Sequence, residues 1–276
     1  MSVNRFPWLT DAISTHQNIL FPSSSIIEGE LGLAKKELAK YFAQKLLCND
    51  DLAPCGVCNS CHYFLAGSHP DYCFLERDSC SSVLHTYSKA KKDDLNSKKI
   101  EGVRALNEFM TMTNSVSEKR VGLVLDAHLM NINAQNALLK TLEELPANKH
   151  IVLVSNQRKY FLPTIYSRSS LISIKNPETS DLDQWISDQG YIDYSSLNFA
   201  PDSTPLEIEH LINNDLADQY MNISQNLNSY CLGDTTTPDL MKFYKEINLS
   251  FDEKINSIIL FLKTCIGINQ NFYKTH

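Results

Sequence analysis

Four cysteines, Cys48, Cys55, Cys58 and Cys61, share the run LLCNDDLAPCGVCNSC. Two-residue gaps let a tight turn aim successive sulfurs at one centre, the spacing by which thiolates hold a tetrahedral zinc ion. The run follows directly on SSSIIEGELGLAKKELAKYFAQKLL, which reads as a strand, a glycine-containing loop and a helix in the outline of a phosphate-binding loop. A chain of this kind must fold as a nucleotide-binding type of core whose first helix runs into a metal knot. Four protein sulfurs fill the coordination shell and leave no open position, so the zinc is expected to be structural. A redox role for the C-x-x-C pairs is the weaker reading, because further cysteines stand at ligand spacing. Cys73 competes with Cys48 for the fourth ligand place, and Cys48 is preferred.

The remaining cysteines, Cys73, Cys80, Cys231 and Cys265, are scattered and read as ordinary small or buried residues. No cationic start or long apolar run opens the chain, and its longest apolar stretches are too short to span a bilayer. A cytoplasmic location, no membrane partner and metal-bound rather than disulfide-bonded cysteines are expected. The 276 residues suggest about two domains, and 43% hydrophobic with 21% charged residues is an ordinary globular composition. A net charge of −7 argues against tight nucleic-acid binding by the chain alone, since that binding rests on Lys and Arg displacing counterions. The knot sequence GVCNSCHYF, almost without basic residues, argues the same way.

Strand-like and helix-like segments alternate over the first two-thirds. Residues 25–27, 72–75, 121–125, 151–154 and 171–174 read as strands, and the continuous apolar runs VGLVL and IVLV suit buried parallel strands. Helices are expected over 33–47, around Ile100, Val103, Leu106 and Met110, and over 134–145, where Pro146 stops the pattern. His69-Pro70-Asp71 reads as a break, and 88–99 as a solvated connector. Alternation of this sort builds a parallel sheet with helices on its faces. From Asn176 onward the pattern is helical only, over 181–189, 205–213, 217–230, 238–247 and 252–268. Trp8 and Trp185 read as packing residues, His69 and His128 as loop or structural residues.

The phosphate loop has lost parts. Against G-x-x-x-x-G-K-[ST], the aligned run Gly29 to Lys36 keeps Gly29, Gly32 and Lys35. Ala34 stands where a glycine lets backbone amides approach phosphate, and Lys36 where a hydroxyl would hold magnesium. The apolar strand 121–125 ends in Asp126, the place of a magnesium-holding carboxylate, but Ala127 follows where a carboxylate would orient water. Hydrolysis lacks its base, and ATP binding is expected to be weak or absent.

Several stretches together resemble the delta-prime subunits of bacterial DNA polymerase III clamp loaders, an AAA+ family. They are the cysteine insert with the following AGSHPDY run, the helix NALLKTLEE from Asn136, Ser155-Asn156 at a position similar to sensor 1, and Tyr166-Ser167-Arg168-Ser169. The last looks like a Ser-Arg-Cys motif with Ser169 in place of cysteine. The spacing in that family supports Cys48 as the fourth zinc ligand. The likeness covers Phe6 to about Ile174 and is thin beyond.

The resemblance implies an AAA+ core with zinc insert (1–175, insert 48–61), a helical lid (176–212) and a helical collar domain (213–276) that ends early at His276. It implies a stator that does not hydrolyse ATP, beside ATPase subunits and a delta subunit in the polymerase holoenzyme. DNA and the sliding clamp would be met mainly through the assembled complex. Arg168 would act in trans, as an arginine finger in a neighbouring ATP site. The region 200–207, which takes the place of a sensor 2 turn, holds no arginine, in keeping with an inactive site. The alternative is an active clamp-loader ATPase that tolerates Ala34 and Lys36.

Overall fold

The apolar runs become the strands of one parallel sheet. A computed structural model describes residues 3–16, 21–75, 102–199, 203–247, 249–255, 257–259, 261–262 and 265. The expected connector 88–99, Ile100 and Cys80 lie outside the described residues. The chain divides into two compact units, Met1–Lys175 and Asn176–His276.

In the first unit the strands are β1 (Ser24–Glu28), β2 (Tyr72–Leu75), β3 (Arg120–Val124), β4 (Lys149–Ser155) and β5 (Ser170–Ser173). They lie in the order β2-β3-β4-β1-β5, and every neighbouring pair is parallel. Every residue of β1 and β3 is buried, as strands covered on both faces require. The helices are α1 (Thr10–Thr15), α2 (Lys35–Leu47), α3 (Asn59–Leu65), α4 (Gly102–Thr111), α5 (Ile132–Glu144) and α6 (Pro163–Tyr166).

Strand alternation sorts the apolar side chains into two layers. Ile26, Val124, Ile151 and Leu153 pack in one layer with Val103, Leu106 and Met110 of α4 and Leu138 and Leu142 of α5. Helix α2 packs against β1, β3 and β4. It buries Leu38, Ala39, Phe42 and Leu46 at helical spacing. Each such aliphatic or aromatic burial contributes roughly 1.5–3 kcal/mol. Gly122 in β3 gives the layer room, because a Cβ there would stand 2.5 Å from Cδ1 of Leu106 and that side chain would have to shift.

Two helix boundaries differ from the sequence reading for local reasons. Helix α2 begins at Lys35 rather than residue 33, because Ala34 takes a left-handed conformation (φ 56°, ψ 30°). Helix α5 begins at Ile132, where the Asn131 side chain accepts from the Ala134 N–H at 2.9 Å and caps it. Helices α1 and α3 were not anticipated, since one or two turns are too short to show a helical period.

The second unit contains α7 (Thr179–Asp188), α8 (Pro205–Asn213), α9 (Ala217–Leu232) and α10 (Thr237–Glu246). The described residues from 251 to 265 are helical as well, and no strand occurs among the described residues of this unit. Trp185 is buried beside Leu182 and Ile186, in the packing role read from sequence. Glu207 closes a capping box with Thr204 at the start of α8. Among the described residues no helix is long and apolar enough to cross a membrane.

Candidate functional site

β1 delivers the chain into the loop that opens at Gly29. A Cβ there would stand 2.5 Å from the carbonyl oxygen of Ile174, so backbone meets backbone and only glycine fits. Gly32 follows with φ 89°. Ala34 keeps a left-handed turn although an alanine there costs about 1–2 kcal/mol. The loop thus makes its left-handed turn at a residue other than glycine. Trp8 braces it from outside, donating from Nε1 to the Leu33 carbonyl at 3.1 Å.

The cations of the loop are turned onto the chain itself. Lys35 is 3% exposed, and its ammonium donates to the carbonyl of Glu30. Burial pulls its pKa down to about 8, against the upward pull of the Glu30 carboxylate. Lys36 places Nζ 3.0 Å from Oδ2 of Asp126, just beyond β3. In a working site a Ser or Thr hydroxyl and an acidic side chain flank magnesium here. In this chain an ammonium stands directly on the carboxylate. Ala127, in the place of a water-orienting carboxylate, is fully buried in the apolar core. Past β4, the Asn156 N–H donates to Nδ1 of His128 at 3.3 Å, and Ser155 Oγ donates to the Gln157 carbonyl at 2.6 Å.

The other end of α2 carries the metal knot. The helix stops at Leu47, and Cys48 is already extended (φ −67°, ψ 133°). Cys58 is the N-cap of α3, its sulfur accepting from the Cys61 N–H at 3.4 Å. The sulfurs of Cys48, Cys55, Cys58 and Cys61 all lie within 4.8 Å of one another. Those of Cys48 and Cys55 are 3.5 Å apart, and those of Cys48 and Cys58 are 3.8 Å apart. Zinc–sulfur bonds of about 2.3 Å set tetrahedral sulfurs roughly 3.8 Å apart, so the donor set fits zinc. Cys73 belongs to β2 and is buried in the apolar core, where burial pushes its thiol up. It takes no part in the cluster. Burial also works to raise the Cys58 thiol, but the N–H groups of Cys61 and Asn49 outweigh it and bring the pKa to about 6. Burial takes Cys61 up to about 12. A dication is what lets four such sulfurs ionise together.

A buried polar cluster fastens the knot to the sheet. Ser60 of α3 and Ser117 both donate to the Leu47 carbonyl, at 2.5 and 2.6 Å. Nε2 of His69 lies 2.8 Å from the Ser60 hydroxyl and 3.0 Å from that of Ser117. The Asp71 N–H donates to Nδ1 of His69 at 3.0 Å, so the neutral ring carries its hydrogen on Nε2. The Asp71 carboxylate accepts from the N–H groups of Ser115, Val116 and Ser117 at 2.8, 2.7 and 2.9 Å. It also pairs with Arg120 at 2.8 Å, and both side chains are buried. The guanidinium of Arg120 lies 4.4 Å from the ring centre of Phe109. The break expected at His69-Pro70-Asp71 is a turn between α3 and β2, and the side chains of His69 and Asp71 make it a buried fastening.

Arg168 follows α6 at the surface. Its Nη2 lies 2.7 Å from Oε1 of Glu143 on α5, and the two side chains are 36% and 48% exposed. Its Nη1 donates to the Thr164 carbonyl at 3.1 Å and to the Ser167 hydroxyl at 3.3 Å. The backbone around it is tied to β1 twice. Ser169 Oγ lies 2.7 Å from Ser24 Oγ, and Tyr166 donates to Oε2 of Glu28 at 3.1 Å. Sequence reasoning had not singled out Glu143, Ser24 or Glu28, because their partners lie far along the chain.

A parallel sheet in this strand order, with a phosphate-loop backbone after β1 and an acidic residue after β3, is a P-loop core of the AAA+ type. The family model described as DNA polymerase III, delta subunit, matches residues 10–178, more than half of the chain. The chain belongs to that family, and its relatives place it in the delta-prime branch. It is 35% identical over 145 residues to DNA polymerase III subunit delta' of Pseudomonas aeruginosa, covering 52% of this chain and 40% of that one. It is 29% identical over 193 residues to the subunit of the same name in Haemophilus influenzae, covering 68% and 54%. The match thus spans about half the length of these relatives. Among solved structures, a DNA polymerase III gamma subunit-related protein of Thermotoga maritima aligns over 92% of this chain and 90% of its own, with 15% identity and a TM-score of 0.45.

Proposed function

We propose that this chain is the non-hydrolysing stator of a DNA polymerase III clamp loader, seated with ATPase subunits and a delta subunit, and that Arg168 serves a neighbour's ATP site during sliding-clamp loading. The observation that carries this reading is the ion pair between Lys36 and Asp126. An ammonium fills the place of magnesium, and Lys35 is engaged by the loop's own carbonyl. Phosphoryl transfer relies almost wholly on positioning and on neutralising charge at the phosphate oxygens. A loop whose cations are already paired, and which has no carboxylate at Ala127, offers neither.

Arg168 has the chemistry the missing site would need elsewhere. Its planar fork stays charged and can meet phosphate oxygens in two places, and trans-acting arginines contribute roughly 10³–10⁵ in rate. The zinc held by Cys48, Cys55, Cys58 and Cys61 would be structural. Residues 176–212 and 213–276 of the second unit would form the lid and the collar. The net charge of −7 favours DNA contact through the assembly rather than through this chain.

Purified chain given Mg²⁺-ATP should show negligible turnover. In a complex reconstituted with its ATPase subunits, Arg168→Ala should lower ATP-driven clamp loading with assembly and zinc content intact, and Arg168→Lys should rescue little. Magnesium-dependent turnover abolished by Lys35→Ala would establish the active-ATPase alternative.

A further inference from the structure

The segment around Arg168 has two kinds of restraint, and they act on different parts. The bonds from Ser169 to Ser24 and from Tyr166 to Glu28 fix its backbone against β1. The guanidinium itself is held at the surface. Its Nη1 is taken by the Thr164 carbonyl and the Ser167 hydroxyl, both within the same turn. A bidentate contact needs two adjacent N–H groups. With Nη1 engaged, the remaining edge is Nε with Nη2, and Nη2 carries the Glu143 carboxylate at 2.7 Å. A carboxylate presents two anionic oxygens to a guanidinium much as a phosphate does.

We propose that Glu143 is a positioning residue that holds Arg168 in the place of a phosphate, so that an incoming phosphate of a neighbour's nucleotide must displace this carboxylate to engage the arginine. The inference rests on the reading of Arg168 as a group acting in trans. Glu143 keeps the fork ordered in the free chain and sets a threshold for its transfer. The displacement suits an exposed pair: Glu143 is 48% exposed, so its carboxylate is rehydrated when the arginine leaves.

The test uses the reconstituted complex with Mg²⁺-ATP as substrate, comparing wild type, Glu143→Gln, Arg168→Ala and the double variant. Glu143→Gln keeps the shape and removes the competing charge. It should raise kcat/KM for ATP by about two- to fivefold, the range set by an exposed ion pair. The gain should shrink toward unity as salt rises, because salt screens exposed charges, whereas a merely structural change would not follow ionic strength. The double variant should match Arg168→Ala. An unchanged or lowered kcat/KM in Glu143→Gln, or a gain that persists without Arg168, overturns the proposal while leaving the role of Arg168 standing. If Arg168→Ala itself changes nothing, the trans-acting reading fails first and takes this one with it.

Discussion

The two ends of helix α2 carry the two motifs read from the sequence, and their side chains are arranged in opposite ways. At the N-terminal end the donors are committed. Lys35 bonds the loop's own carbonyl and Lys36 sits on Asp126. At the C-terminal end four sulfurs converge within 4.8 Å of one another. In the first arrangement the charges are paired within the chain. The second gathers like charges as soon as its thiols ionise, and needs a cation to hold. A motif is thus better judged by whether its donors remain uncommitted than by how many of its letters survive.

The largest effect should come from the sulfur end. Cys58→Ser should abolish zinc binding and remove on the order of 10 kcal/mol of local folding free energy. Elemental analysis should fall from one zinc to none, and proteolysis should open residues 48–65 while circular dichroism keeps the sheet. Full zinc content in the variant would break the comparison. Next comes the fastening between knot and sheet. Asp71→Asn leaves the buried Arg120 without its counter-charge and should cost about 3–5 kcal/mol in chemical denaturation. A loss near zero would mean that the knot and the sheet are stabilised independently.

At the other end, Lys35 gives a pH signature. Its folded pKa of about 8 lies below the ordinary 10.5. Between those values the unfolded chain holds a proton that the folded chain has released, so stability rises with pH across this window. The gain should approach roughly 3 kcal/mol relative to Lys35→Met, which has no proton to release. A parallel pH dependence in both proteins would show that Lys35 is not desolvated in solution. The smallest effect belongs to Lys36. Lys36→Met should lower stability by no more than about 1 kcal/mol, since the pair is part-exposed. It should also free Asp126, so that Mg²⁺ raises the melting temperature of the variant and not of the wild type. Equal responses to Mg²⁺ would erase the contrast between the two ends.

What the sequence disclosed followed the range over which each feature acts. The cysteine cluster was legible because its ligands are at most a few turns apart. β3 and β4 were legible because strands covered on both faces are continuously apolar. The loss of motif residues at Ala34, Lys36 and Ala127 could also be read directly. The replacement could not. Lys36 and Asp126 are 90 residues apart, Asp71 and Arg120 are 49 apart, and no local pattern ties them. His69 and Asp71 read as a break because polar residues beside proline look like a turn, whereas their partners come from α3 and from the approach to β3. Side-chain pairing over such distances is a product of the fold and is written nowhere in periodicity or spacing.

The contact between Gly29 and the Ile174 carbonyl has a consequence for how such a loop can vary. No side chain fits there, whether or not a nucleotide ever arrives, because the obstacle is the chain's own backbone at the end of β5. Folding alone therefore requires this glycine, independently of any catalysis. Lys36, with its side chain 44% exposed, is under no such backbone constraint. In loops of this build the structural glycine should therefore vary less than the exposed side chains that would do chemistry.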